Sequence, residues 1–192
     1  MMAARREIPG RIDRLPAVRG RLRADVDLAP FAWFRVDRPA AALIRPAEAD
    51  DLAQFLAGCP TDIPVTVIGV ASNLLIRDGG VPGVVVRLGG DFAHNRIEGD
   101  RIIAGAGTLD LTVAQEALAA GLGGLEFLSG IPGTIGGAVR MNAGAYGREI
   151  VDVIESATVV TRDGRIATLD RDEWGLVYRG NVLPEGAIVV SA

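Results

Sequence analysis

Two glycine-rich loops carry the residue types and spacing in this chain that could do chemistry. In Gly69-Val70-Ala71-Ser72-Asn73-Leu74 the small residues let successive backbone N–H groups face one ligand, and the Ser72 hydroxyl and Asn73 amide add donors. In Ser129-Gly130-Ile131-Pro132-Gly133-Thr134-Ile135-Gly136-Gly137-Ala138, Pro132 fixes one dihedral and the glycines let the chain lie against a flat or anionic ligand. A helical stretch then runs from Gly136 through Met141. One such loop is more often a structural turn than a site. Two of them, about sixty residues apart, point to a nucleotide-like ligand.

What the chain lacks narrows the chemistry. All 20 of its Lys+Arg residues are arginines, which excludes a Schiff-base lysine, a Walker-type phosphate-binding lysine and a lysine general base. A single histidine, His94, and a single cysteine, Cys59, leave no Cys/His metal cluster, no internal disulfide and no Ser-His-Asp triad except one built on His94. Anion binding therefore falls to arginine or the backbone, and a redox step needs a borrowed cofactor.

Glycine makes up 25 of 192 residues, or 13%, against an average of about 7%, with no Gly-X-Y period, so the excess serves turns and close backbone approaches. The net charge of −4 argues against a nucleic-acid partner. Basicity is concentrated at the start, in Arg5, Arg6, Arg11, Arg14, Arg19, Arg21 and Arg23. Residues 1–24 are expected to form a solvated arm or leading helix rather than a targeting peptide, because they lack serine and an apolar run and contain Glu7 and Asp13. No run reaches the roughly 18 apolar residues of a membrane span, so the expectation is no membrane and a cytoplasmic location.

The elements that must position the loops follow from periodicity. Phe31 to Val36 and Ala41 to Arg45 predict strands. Pro46 opens a helix with Leu52, Phe55 and Leu56 at i, i+3 and i+4, Glu48, Asp50 and Asp51 in its first turn and Gly58 just past its end. Pro64 to Val70 and Gly83 to Leu88 are β-branched runs of the kind buried on both faces. Residues 25–88 thus predict a small α/β lobe, and 89–192 an α+β lobe. The second lobe is expected to hold a hairpin over Arg96 to Gly105 and a helix capped by Thr108, with Leu111, Ala114 and Leu118 on its buried face and Gly121 as its stop. A second hairpin pairs Val151 to Thr161 with Arg165 to Leu169, Asp170 caps a turn through Trp174, and Ala187 to Val190 form a last strand. That strand runs straight into the end of the sequence with no cap or polar tail, which predicts a chain cut short.

The stretches Val67 to Leu88 (VIGVASNLLIRDGGVPGVVVRL) and Gly124 to Gly147 (GLEFLSGIPGTIGGAVRMNAGAYG), with Tyr178-Arg179, resemble the UDP-N-acetylenolpyruvoylglucosamine reductases, also called UDP-N-acetylmuramate dehydrogenases. The resemblance runs from about Leu15 to the last residue. It implies an α+β, two-lobed FAD-binding domain of the vanillyl-alcohol-oxidase (PCMH) type over residues 25–192, without that family's C-terminal substrate-binding domain. It also implies noncovalent FAD whose pyrophosphate lies against Gly69, Ala71, Ser72, Asn73 and Leu74 of the first loop and Ile131, Pro132, Gly133, Thr134, Gly136 and Gly137 of the second. NADPH would be the hydride donor and a UDP-sugar the partner, in the reduction of UDP-N-acetylglucosamine enolpyruvate to UDP-N-acetylmuramate for peptidoglycan synthesis.

Arg179 matches the family's catalytic arginine, with Tyr178 beside it in the substrate site. The family's proton-donating serine and assisting glutamate belong to the later domain, and Ser191 does not match that serine. The alternative is therefore a truncated, catalytically inactive flavin-binding module. Asp37-Arg38 stand where relatives carry a glycine pair, Ala71 where they carry glycine and Asn181 where they carry serine. A methyl at Ala71 costs roughly 1 kcal/mol if the position needs positive φ. His94 matches no motif for a covalent flavin tether and is expected to be an exposed loop residue.

Overall fold

Apolar strands that carry Val and Ile toward both faces need cover on both, and the first half of the chain supplies it. The computed structural model describes residues 12–31, 39–76, 79–175, 180 and 183–192. Its first sheet combines β1 (Arg21–Asp27), β2 (Pro39–Arg45), β3 (Val65–Ile68) and β4 (Val81–Arg87) in the order β1-β2-β4-β3. The last three run parallel, and β1 is an antiparallel edge. Helix α1 (Ala49–Gly58) makes the crossover from β2 to β3. It buries Leu52, Phe55 and Leu56 against Ala42, Ile44, Val84 and Val86, at roughly 2 kcal/mol per side chain. Leu28, Leu43, Ile68 and Val85 cover the other face.

Asp51, in the first turn of α1, is 2% exposed and accepts hydrogen bonds from the backbone N–H groups of Arg19, Gly20 and Ala47 at 2.8–3.0 Å. Burial works to raise its carboxyl, but those N–H groups and Arg19 outweigh it and hold the group below the usual carboxylate range. Asp51 thereby ties the segment before β1 to the start of α1. At the far end of the helix, Arg162 of the second lobe donates to the carbonyls of Leu56 and Pro60 at 2.8 and 2.9 Å, supplying partners to groups a helix end leaves open.

The second lobe begins with the hairpin β5 (Asn95–Glu98) and β6 (Arg101–Ala104). Helix α2 (Asp110–Ala119), helix α3 (Ile135–Arg140) and the short pair β7 (Gly144–Ala145) and β8 (Arg148–Glu149) follow. β9 (Ser156–Val160) and β10 (Ile166–Asp170) join β11 (Ile188–Ser191) in an antiparallel sheet of order β10-β9-β11. Ala104 and Ala192 exchange backbone hydrogen bonds at 2.7 and 2.9 Å, which links β6 to the end of β11. Asp170 and Glu173 form the expected capped turn, and Trp174 is fully buried with its indole N–H on the Leu169 carbonyl. Val160, Ile188 and Val190 pack into the cluster beneath α1, so the two lobes share one core.

Several expectations are corrected. Residues 21–24, expected in a solvated arm or helix, belong to β1, which pairs Arg21 with Arg45 through Ala24 with Ala42. β3 is an edge strand with Val67 41% exposed, not buried on both faces, because β4 rather than β3 takes the sheet's centre. α2 buries Asp110, Val113 and Ala117, while Leu111 and Leu118 are exposed. Thr108 does not cap it, since its hydroxyl donates to Asn95 Oδ1 at 2.8 Å. The second hairpin starts at Ser156, after a single turn over Ile150–Asp152. The strand predicted over Phe31 to Val36 falls, beyond Phe31, outside the described residues.

Candidate functional site

The carboxyl ends of parallel strands are where open α/β sheets leave room for a ligand. Here the ends of β2, β3 and β4 open onto a cleft of about 440 Å³ closed on its far side by Gly107 and Thr134 of the second lobe. Both glycine-rich loops reach it, the first through Gly69 and Val70 and the second through Thr134. A wider depression of about 720 Å³ lies among Arg148, Asp152, Arg171 and Asp172, but its charges are mixed and neither loop lines it.

The loops are in direct contact. A Cβ on Gly69 would lie 2.5 Å from Thr134 Oγ1, so only glycine lets the first loop pass over the second. The second loop is in turn pinned to the segment after β6. Ile135 N–H donates to the Thr108 carbonyl and Gly136 N–H to the Ala106 carbonyl, both at 2.9 Å. A Cβ on Gly136 would sit 2.8 Å from that of Ala106.

Of the other expected residues that the structure describes, none lines the cleft. Ala71 is buried and adopts φ +50°, the left-handed region, so its methyl does carry the backbone cost anticipated for a non-glycine residue there. Ser72 is half-buried, and Asn73 and Leu74 are exposed. Ile131 and Gly133 are half-buried, and Pro132 and Gly137 are exposed. Tyr178, Arg179 and Asn181 lie outside the described residues, as do Asp37 and Arg38. His94 is 77% exposed at the side chain, with Nε2 3.8 Å from Asp91.

Sequence reasoning missed two features. Asp110 sits beneath the second loop with no exposed surface, and neither carboxylate oxygen has a hydrogen-bond partner among the described residues. Burial pushes its carboxyl up to about 7, with the Gly133 N–H pulling the other way without reaching hydrogen-bond geometry. Asp110 Oδ2 would lie 2.9 Å from a Cβ on Gly133. The second feature is a row of arginines, Arg21, Arg45 and Arg87, that lines the cleft from three neighbouring strands. The only signal for either was an acidic residue set between Leu109 and Leu111, and an arginine at the end of the apolar runs that form β2 and β4.

A cleft reached by both glycine-rich loops and lined by three arginines has the chemistry to hold an anionic ligand such as a dinucleotide. Among the described residues no group of His, Cys, Asp or Glu is placed to hold a metal, and no helix is long and apolar enough to cross a membrane.

Comparison with known proteins agrees. Residues 40–170 match the family model described as FAD binding domain. The chain is 60% identical over 185 residues to the UDP-N-acetylenolpyruvoylglucosamine reductase of Rhodospirillum rubrum, an alignment that takes in 96% of this chain and 58% of the relative. The crystal structure of UDP-N-acetylenolpyruvylglucosamine reductase from Thermus caldophilus superposes with a TM-score of 0.78 at 39% identity, over 90% of this chain and 60% of that one. A VAO-type flavoprotein from Myceliophthora thermophila shares the fold, with a TM-score of 0.58 at 18% identity over 80% of this chain and 31% of its own. The fold is thus the FAD-binding type of the vanillyl-alcohol-oxidase group, and the chain spans about three fifths of the length of the curated reductases it matches.

Proposed function

We propose that this chain, which belongs to the FAD binding domain family, holds FAD noncovalently in the cleft between its lobes. On this reading it is the cofactor-binding part of a cytoplasmic enzyme that reduces UDP-N-acetylglucosamine enolpyruvate to UDP-N-acetylmuramate with NADPH, for peptidoglycan precursors. The observation that carries the reading is the contact of Gly69 with Thr134, which brings both glycine-rich loops to one cleft. Likeness to the Rhodospirillum rubrum reductase supports the assignment of substrate.

When bound, FAD supplies the hydride relay between nicotinamide and alkene, which no side chain of this protein could perform. The chain's own residues bind and orient. The loops from Gly69 to Leu74 and Ile131 to Gly137 would hold the pyrophosphate through those backbone N–H groups not already given to carbonyls, as those of Ile131, Gly133, Ile135 and Gly136 are, with the Ser72 hydroxyl and Asn73 amide as added donors. The Arg179 guanidinium, fixed in charge and planar, stabilises the enolate character that hydride addition leaves beside the substrate carboxylate, and Tyr178 contacts the substrate. Glycine at 69 and 136 lets the two loops and the segment after β6 pack directly on one another, which holds both loops at the cleft.

For these 192 residues taken alone, the second reading is a flavin-binding module without turnover, favoured by a span of 58% of the reductase's length. Purification tests the first claim. Yellow protein whose flavin is released wholly into the supernatant by acid supports noncovalent FAD, whereas colourless protein that also fails to take up added FAD overturns it. Steady oxidation of NADPH with the enolpyruvyl sugar nucleotide by the purified chain would overturn the second reading.

A further inference from the structure

We propose that Arg45 and Arg87, with Arg21 beside them, form a cationic subsite for the diphosphate of the dinucleotide, taking the place that a lysine holds in other phosphate sites. The inference rests on the FAD reading above.

Arg21 and Arg45 are direct partners across β1 and β2, and Ile44 pairs with Val86, which brings Arg45 next to Arg87 at the carboxyl ends of β2 and β4. All three line the cleft that both glycine loops reach. Phe31 holds two of them together, with its ring centre 5.7 Å from the Arg45 guanidinium carbon and 4.7 Å from that of Arg87. Among the described residues no carboxylate pairs with either, and Asp91, the one acidic residue in the lining, lies beside His94.

Like charges held together without a counterion oppose folding. Partial burial and the neighbouring Arg45 both lower the proton affinity of Arg87, in the direction that crowding of cations requires. An anion of two charges in the cleft would relieve that repulsion and accept the planar donor forks, which suit phosphate oxygens. A nucleoside diphosphate satisfies this chemistry. Two sources offer it, FAD and a UDP-sugar, and the presence of Gly69 and Thr134 in the same lining favours FAD.

The test uses the 192-residue chain stripped of flavin, with Arg45→Gln and Arg87→Gln singly and together. FAD affinity is read by quenching of flavin fluorescence at several salt concentrations, and melting temperature is read with ADP, adenosine or UDP-N-acetylglucosamine added. Each single variant is expected to weaken FAD about tenfold or more, and the double variant to flatten the salt dependence. ADP, but not adenosine, should raise the melting temperature of the wild type and lose that effect in the double variant. Arg87→Met loses the guanidinium over Phe31 but also the repulsion from Arg45, so it should melt close to the wild type yet lose FAD as Arg87→Gln does.

Unchanged affinity and salt slope in the double variant would overturn the subsite. So would an Arg87→Met variant that binds FAD normally, because the arginine would then only pack on Phe31. If the wild type takes up no FAD, the flavin reading fails and the ADP arm decides. Protection by ADP that depends on both arginines sustains the diphosphate subsite, and its absence removes it. Protection by UDP-N-acetylglucosamine alone would overturn the assignment to the cofactor.

Discussion

Gly69 and Thr134 touch across the two lobes with no space for one more carbon, since a Cβ on Gly69 would meet Thr134 Oγ1 at 2.5 Å. Gly69→Ala must therefore move a buried threonine. The expected loss is about 1–3 kcal/mol of stability, with FAD uptake lost in proportion. Thr134→Ala removes the obstructing hydroxyl and methyl, so Gly69→Ala in that background should cost less than in the wild type. Denaturant unfolding of the four proteins in this cycle measures the coupling. Additive effects would show that the loops do not press on one another.

Ala71 gives a gain rather than a loss. At φ +50° an L-residue carries roughly 1–2 kcal/mol of backbone cost, and glycine at the same position would return about 0.5–1 kcal/mol of that through its freer unfolded chain. Ala71→Gly is expected to raise stability by several tenths to about 1 kcal/mol by this balance. FAD affinity should rise or stay equal. A denaturant midpoint below that of the wild type would show that the Ala71 methyl packs more usefully than the strain costs.

How much of this was legible depends on how many signals agreed at a residue. α1 was readable because its apolar spacing, acidic first turn and terminal glycine all point to one helix with Leu52, Phe55 and Leu56 inward. The buried face of α2 was not, because 111/114/118 and 110/113/117 are both valid helical stripes. Which of the two faces inward is decided by packing against the turn over Glu126–Gly130, which lies beyond the end of the helix. The glycine loops themselves were legible as residue types, but their contact was not. The arginine row was hidden for a related reason, since Arg21, Arg45 and Arg87 become neighbours only through a strand register that folding sets.

Asp110 should make stability fall as pH rises. Its carboxyl is raised to about 7 in the folded chain against 3.8 for a free aspartate, so the native state binds the extra proton. By linkage the penalty of ionising it is absent below about pH 4 and grows as pH rises through 7, at up to about 1.4 kcal/mol per pH unit. Asp110→Asn removes the titration. The variant's melting temperature should fall less than the wild type's between pH 5 and 8, and it should be the more stable protein at pH 8. Parallel profiles for the two proteins would mean that Asp110 ionises as freely folded as unfolded.

Arg179 carries the reductase part of the proposal, and its test needs a substrate site. In a chain fused to the C-terminal part of the Rhodospirillum rubrum relative, Arg179→Lys keeps one positive charge but loses the planar fork that can give a carboxylate two hydrogen bonds. Transition-state binding then suffers while the pyrophosphate loops, which do not include this residue, are untouched. The expected result is a fall in kcat on the order of 10²-fold or more, as for the loss of one preorganised donor, at unchanged flavin content. Because the interaction is made as charge develops, kcat and kcat/KM should fall together rather than KM rising alone. Unchanged kcat, or a fall matched entirely by lost flavin, would make Arg179 a structural residue and leave FAD binding as the part of the proposal still standing.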